Sequence, residues 1–252
     1  MNLLAFDTST EQMSVAVSRT LKGHTSVWAH TGAGGAQASA HLIAQVMALL
    51  QQADLTLQGL DAICFGAGPG SFTGLRTACA VAQGLAYGAG VPVLAVDSLM
   101  AVAEEARFQA LVDQPVCRIT ALLDARMDEM YGAMWAWNGA LWTELVESAL
   151  LKPETLQAQG TVLAGNVFGV YAGRLGLGHG GLNDALQVTA LPTATAMLRV
   201  APQMLTAGLA VDAAQALPRY IRDKVAETTA ERDRKKALVR DAAQAAHAAV
   251  SS

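Results

Sequence analysis

The sequence predicts an α/β fold of two similar halves, each a mixed sheet with helices on its faces. Three observations carry that prediction. Short, apolar, β-prone runs alternate with stretches of helical periodicity along the chain. A glycine-rich bend, Gly66-Ala67-Gly68-Pro69-Gly70-Ser71-Phe72-Thr73-Gly74-Leu75-Arg76, joins a strand to a helix. Two strands, one opening each half, run into comparable turns, Asp7-Thr8-Ser9 and Asp124-Ala125-Arg126. No sequence repeat accompanies that echo, so duplication is inferred from the turns and the order of elements.

In chain order, Leu3 to Phe6 reads as a strand ending at Asp7-Thr8-Ser9-Thr10, Met13 to Val17 alternates as a second, and Thr25 to Ala29 forms a third. Ala33 to Ala36 is a flexible joint. Ser39 is placed to cap a helix in which Leu42, Ile43, Val46, Met47, Leu49 and Leu50 recur at helical spacing. Asp54 to Asp61 reads as a capped turn. Ala62 to Phe65 is a buried strand, Thr73 to Tyr87 a helix stopped by Gly88-Ala89-Gly90, and Val91 to Val96 a strand. Asp97-Ser98 then caps a helix through about Phe108. Val112 to Pro115 breaks the pattern. Beyond it come strands at Val116 to Leu123, Met130 to Trp137 and Leu141 to Leu145, a short helix from Pro153, a strand at Thr161 to Ala164 and a helix at Thr193 to Leu209. The expected division is 1–111, 112–222 and a tail at 223–252, densely charged from Glu227 to Lys236 and then rich in alanine. Arg234-Lys235-Lys236 is read as part of a solvated, mixed-charge face, with RNA contact as the alternative.

The composition narrows the classes. With 252 residues, 52% of them hydrophobic and 15% charged, the chain can bury a sizeable core and is globular, not disordered. A net charge of −4 argues against unaided grip on a nucleic-acid backbone. Cys64, Cys79 and Cys117 form no C-x-x-C pair, as expected for reduced, buried thiols. The start runs straight into a strand, and every apolar run is broken well short of a span. A soluble cytoplasmic protein is therefore expected.

The glycine-rich bend invites a phosphate reading, because helix N-termini offer free N–H groups to anions. The nucleotide templates fail on it. The dinucleotide fingerprint ends on Ser71 or Thr73 in place of glycine, and the Walker loop lacks its lysine after Gly74. The nucleophile elbow fails because Pro69 and Thr73 flank Ser71. A tight corner capped by Ser71 or Thr73 and a ligand contact both remain open. The helix that follows carries one charged side chain, Arg76, between Thr73 and Tyr87. Such a helix is either sandwiched within its own domain or covered by another protein.

Taken in order, Leu4-Ala5-Phe6-Asp7-Thr8-Ser9-Thr10, Gly68 to Arg76, Leu123-Asp124-Ala125-Arg126 and, more weakly, Pro218-Arg219-Tyr220-Ile221-Arg222 resemble the TsaB (YeaZ) family of tRNA threonylcarbamoyladenosine biosynthesis. The resemblance covers roughly residues 1–225. It implies two ribonuclease-H-like halves of the actin-like/Hsp70-like ATPase architecture. It also implies a non-catalytic subunit that binds a TsaD-like catalytic partner, with a TsaE-like ATPase joining. On the same resemblance the isolated chain forms a homodimer, touches tRNA only through the complex, and makes no membrane contact. The partner face is assigned to the two helices, with His41, Leu42, Gln45 and Leu49 outward on the first and Arg76, Ala80, Gln83 and Tyr87 on the second. Ala38 departs from the family, many members of which carry histidine there.

By position, Asp7, Thr8, Ser9 and Asp124 match the two phosphate-facing turns of actin-like ATPases, where an aspartate holds magnesium through water. The alternative is that these residues simply close tight turns, and Arg126 departs from a small phosphate loop. No cofactor is required by the chain itself, with ATP or ADP and magnesium admitted in the complex. The catalytic paralogue's metal helix carries His-x-x-x-His, whereas this chain has Asp97-Ser98-Leu99-Met100-Ala101-Val102-Ala103. Its histidines (His24, His30, His41, His179 and His247) never stand three or four apart, so no helical metal pair is expected. The rival readings are an autonomous actin-like kinase of small molecules and a metallopeptidase.

Overall fold

The computed structural model describes residues 1–156, 162–175 and 185–222. β1 (Asn2–Asp7), β2 (Gln12–Leu21) and β3 (His24–Ala33) form an antiparallel meander. β2 and β3 run further than their alternating stretches suggest. Their ladder continues without a register shift to a hairpin turn at Lys22 and Gly23, both at positive φ. Cross-strand pairing, not local apolar pattern, sets that length.

α1 (Ala38–Gln52), β4 (Ala62–Gly68), α2 (Phe72–Ala89), β5 (Val93–Asp97) and α3 (Ser98–Ala110) complete the first sheet, in the order β3-β2-β1-β4-β5. Ser39 is not the cap of α1. The helix begins one residue earlier, with Gln37 in the capping position and no side-chain bond from it. Ser71 caps α2 by accepting from the Gly74 N–H at 3.4 Å, and Asp97 caps α3 by accepting from Leu99 and Met100. Gly90, at φ +70°, ends α2 in the left-handed conformation that glycine tolerates.

β6 (Cys117–Asp124), β7 (Met130–Trp137), β8 (Trp142–Leu151), β9 (Val162–Gly165), α4 (Phe168–Tyr171), β10 (Gln187–Thr189) and α5 (Ala194–Thr206) follow. Their sheet runs β10-β9-β6-β7-β8. Pro153 opens a single 3-10 turn, and α5 stops at Thr206, short of Leu209. α4 and β10 were not expected, since four and three residues leave no readable period. Thr161, His179, His247 and the tail from 223 lie outside the described residues.

α1 and α2 cover one face of the first sheet over Leu4, Phe6, Val15, Val17 and Phe65. α3 and α5 lie in the larger core with residues of both sheets, Leu3 and Ala5 from the first and Ala121 and Trp135 from the second. α5 packs against β1 and β2, while α3 packs against β6, so the two sheets share their interior. Residues Met1–Ile221 form one compact unit. Among the described residues, no helix is long and apolar enough to cross a membrane.

Glu104 holds that shared interior together. It is 1% exposed and accepts from Arg107 at 2.8 and 2.9 Å, from Arg199 Nε at 2.8 Å and from Trp142 Nε1 at 3.0 Å. One carboxylate thus joins α3, α5 and β8. Removing the buried carboxylate leaves Arg107 and Arg199, both mostly withdrawn from solvent, short of their counter-charge. Glu104→Ala is expected to destabilise the protein by about 3–5 kcal/mol in urea unfolding. Asp54→Asn, which removes the charge of an exposed partner of Arg19 and keeps a residue type that tolerates the positive φ there, should change stability by less than about 1 kcal/mol.

Candidate partner-binding surface and strand-ending turns

The glycine-rich corner is shaped by its neighbour in the chain's first turn. A Cβ on Gly66 would lie 1.8 Å from Asp7 Oδ2, and one on Gly74 would lie 1.8 Å from the Thr8 carbonyl oxygen. Both positions exclude any side chain because the corner rests directly on Asp7-Thr8-Ser9. Hydrogen bonds seal the contact: Thr8 Oγ1 donates to the Gly74 carbonyl at 2.7 Å, and the Ser71 N–H donates to the Ser9 carbonyl at 2.7 Å. The Gly68–Pro69 peptide is cis.

Asp7, Thr8 and Ser9 are all buried. Asp7 Oδ1 accepts from the Ser9 N–H and hydroxyl, both at 2.7 Å, and Oδ2 accepts from Ser98 Oγ at 3.3 Å. Burial pushes the Asp7 carboxyl up to about 6, against the hydrogen bonds from Ser9 and Ser98. Asp124 Oδ1 accepts from the Arg126 N–H at 2.9 Å and the Tyr171 hydroxyl at 2.8 Å. Arg126 also pairs with Glu11, so the two strand-ending turns are tied to each other. The Ser9 and Arg126 N–H groups close their own turns, whereas Ser98 and Tyr171 reach in from other elements. Glu11, Asn166 (which accepts from the Asp124 N–H) and Tyr171 were not anticipated, because each is remote in sequence from the group it serves.

α2 turns Leu75, Ala78, Cys79, Ala82 and Ala86 inward and leaves Arg76, Ala80, Gly84 and Tyr87 exposed, Tyr87 by 84%. It is therefore not enclosed on all sides by its own polypeptide. One flank is closed by the segment before Ile221. Gln83 Nε2 and Cys79 Sγ both reach the Ala216 carbonyl, and the Arg219 N–H donates to the Ala67 carbonyl. Tyr220 packs on Phe72 with centroids 5.3 Å apart, and Arg76 lies over the Phe72 ring while its Nε donates to the Tyr220 hydroxyl. Arg219 also reaches Asp97 at 3.0 Å; burial raises that carboxyl to about 6 despite the guanidinium.

On α1 the expected facing needs correction. Leu42 and Leu49 are 0% and 4% exposed and point into the core with Val46 and Leu50. Ile43 and Met47, at 50% and 49%, are the outward pair beside exposed His41, and Gln45 is half-buried. The helix carries two apolar stripes, and periodicity alone does not say which one meets β2 and β3. The i, i+4 spacing of Ile43 and Met47 was the available signal for the second stripe.

The relatives bear on what this arrangement serves. The family described as "TsaD: tRNA N6-adenosine threonylcarbamoyltransferase" matches residues 35–246. The chain is 33% identical to the Escherichia coli tRNA threonylcarbamoyladenosine biosynthesis protein TsaB over 90% of this chain and 96% of that one. It is 31% identical to the Haemophilus influenzae protein of the same name, over 89% and 95%. YeaZ from Pseudomonas aeruginosa superposes with a TM-score of 0.74 at 35% identity, over 87% of this chain and 99% of that one. The chain belongs to the TsaB family. As a TsaB-family protein of tRNA threonylcarbamoyladenosine biosynthesis, it has the actin-like architecture of two ribonuclease-H-like halves. α3 of this TsaB-family chain carries no histidine, and no described group of His, Cys, Asp and Glu could hold a metal.

The corner gives two expectations. Gly74→Ala forces a methyl onto a backbone oxygen and should destabilise by about 3 kcal/mol or more, at the upper end of overpacking effects. Gly84→Ala, on the same helix with open space around it, should stabilise by about 0.5–1 kcal/mol; urea midpoints separate the two. Asp7 sets a pH dependence. Below about pH 4 it is protonated in both folded and unfolded chains. As pH rises toward 6 the unfolded chain releases the proton first, so stability falls, by on the order of 3 kcal/mol once the window is crossed. Asp97 adds a dependence of the same sign. Asp7→Asn should lack the Asp7 contribution when unfolding free energies at pH 4 and pH 7 are compared.

Proposed function

We propose that this chain is the non-catalytic subunit of a tRNA threonylcarbamoyl-transferring assembly, and that it docks a TsaD-like catalytic partner on the outward face of α1 and α2. The observation that carries the reading is the exposure of Ile43 and Met47 on α1 and of Ala80, Gly84 and Tyr87 on α2, with Arg76 the sole charged side chain on the two helices. Small residues at Ala80 and Gly84 let a partner helix approach closely. A large apolar side chain at either end gives it purchase. The absence of a histidine pair at the start of α3 favours a supporting role over chemistry.

In the same reading a TsaE-like ATPase joins the assembly, and tRNA is met only through the complex, in keeping with the net charge of −4. Nucleotide and magnesium, where present, belong to the assembly as a whole. Alone, the chain closes the same helix face on a second copy as a two-fold dimer. The setting is the cytoplasm.

Reconstituted tRNA modification with and without this chain, its partners held constant, tests the reading. Modification that proceeds equally well without the chain overturns it, and ATP turnover by the chain alone would favour the kinase alternative. Ala80→Glu should abolish co-elution with the catalytic partner while circular dichroism stays unchanged. Met47→Ala should weaken the complex by about 2 kcal/mol, roughly 30-fold in Kd by calorimetry. Complexes of unchanged affinity in both variants would move the interface elsewhere.

A further inference from the structure

The outer edge of β3 has none of the features that keep edge strands apart. Edges are normally blunted by charge, proline, a bulge or shortness. β3 is ten residues long, contains no Asp, Glu, Lys, Arg or Pro, and pairs with β2 in unbroken register from His24 to Ala33. Among the described residues no strand pairs with its other side. Thr25, Val27, Ala29, Thr31 and Ala33 are exposed, although α5 touches the strand. A cavity of about 500 Å³ opens there, bordered by Thr25, Val27, Phe108 and Pro202. The charge desert extends further. From Gly23 to Ala53 the chain has no Asp, Glu, Lys or Arg, although 15% of its residues are charged.

We propose that β3 is a second self-association surface, on which two copies of this chain pair edge to edge as antiparallel strands. The occupant is chosen by self-complementarity. A two-fold axis at Ala29 sets Ala29 opposite the second copy's Ala29, Val27 opposite the second copy's Thr31, and Trp28 opposite the second copy's His30. No charge faces another charge at any pair in this register, and each copy contributes an aromatic cross-strand partner, a favourable kind of pair. The two sheets join into one of ten strands, with roughly one main-chain hydrogen bond per residue across the seam. The face is distinct from that of α1 and α2, so a chain can use both, giving a complex with two copies of each subunit. This inference does not rest on the helix face being the partner site.

The test uses the full chain carrying Ala80→Glu, which closes the helix face to self-association. Sedimentation velocity should still report twice the chain mass. Adding Ala29→Lys places like charges directly opposite and should reduce the mass to one chain, a loss of affinity of at least about 100-fold. Mixing that protein with Ala80→Glu/Ala29→Glu should restore the doubled mass. Both Ala29 substitutions are on an exposed position, and unchanged melting curves establish that the fold is kept. A monomeric Ala80→Glu chain overturns the proposal, as does a dimer indifferent to Ala29→Lys or a charge-swapped mixture that stays monomeric. Failure of Ala80→Glu to disturb the catalytic partner's binding would instead count against the helix-face reading alone.

Discussion

The contact on which the rest of the structure depends is the seating of the Gly66–Gly74 corner on the turn after β1. Asp7 Oδ2 occupies the space a Gly66 side chain would need, and the Thr8 carbonyl does the same at Gly74. Because two backbones meet there with nothing between them, the start of α2 is fixed relative to β1 with little freedom to tilt or slide. The direction of α2 decides which of its residues meet β4 and which meet solvent. The exposed strip from Arg76 to Tyr87 therefore follows from a packing constraint at the other end of the helix. Asp7 is part of the same constraint. Its carboxylate is buried to fill the site, and its raised affinity for a proton is a consequence of that burial.

A second set of contacts holds the two sheets against that corner. Glu104 ties the helices between the sheets to β8, and the segment around Arg219 returns from the second half to the corner itself. The Arg219 carbonyl lies 2.6 Å from where a Gly68 side chain would begin, so that glycine, at φ +112°, is required by both its conformation and its neighbour. Tyr220 then stacks on Phe72 at the first residue of α2. The second half thus braces the helix from outside while β1 braces it from beneath. The flank closed by this segment is where Gln83 turns its amide to Ala216, so Gln83 does not share the openness of Ala80.

What the sequence made legible follows the same division between local and remote causes. The strand–corner–helix unit was readable because its period, its breakers and its glycines are contiguous. β2 and β3 were readable as strands but not to their full length, since the hairpin ladder, not side-chain alternation, carries them to Lys22 and Gly23. The caps divide similarly. Asp97 and Ser71 cap their helices by bonds within three residues, whereas Ser39 looked like a cap only because the preceding joint left the helix start open. Leu42 and Leu49 were misplaced because α1 is apolar on two stripes, and a single helix contains no information about where its sheet lies. The glycines of the corner had two local explanations, a ligand or a turn. The contacts with Asp7 and Thr8 add a third, a close approach of chain segments nearly sixty or more positions apart in sequence.

Charge placement links these surfaces. A chain of net charge −4 has its charged side chains mostly outside β3, α1 and α2, while Glu104, Arg199, Arg126 and Arg219 are committed to ion pairs that hold the two sheets and turns together. Internal packing explains why the buried stripes of α1 and α2 lack charge, but it places no such demand on Ile43, Met47, Ala80, Tyr87, Val27 or Thr31, each of which faces outward. On a surface with no contacts to make, lysine and glutamate suit a helix far better than Ile or Tyr and protect an edge strand. Their absence from three neighbouring elements at once is therefore not a requirement of the fold. That pattern supports the two proposed docking faces, since interface cores are depleted of charge.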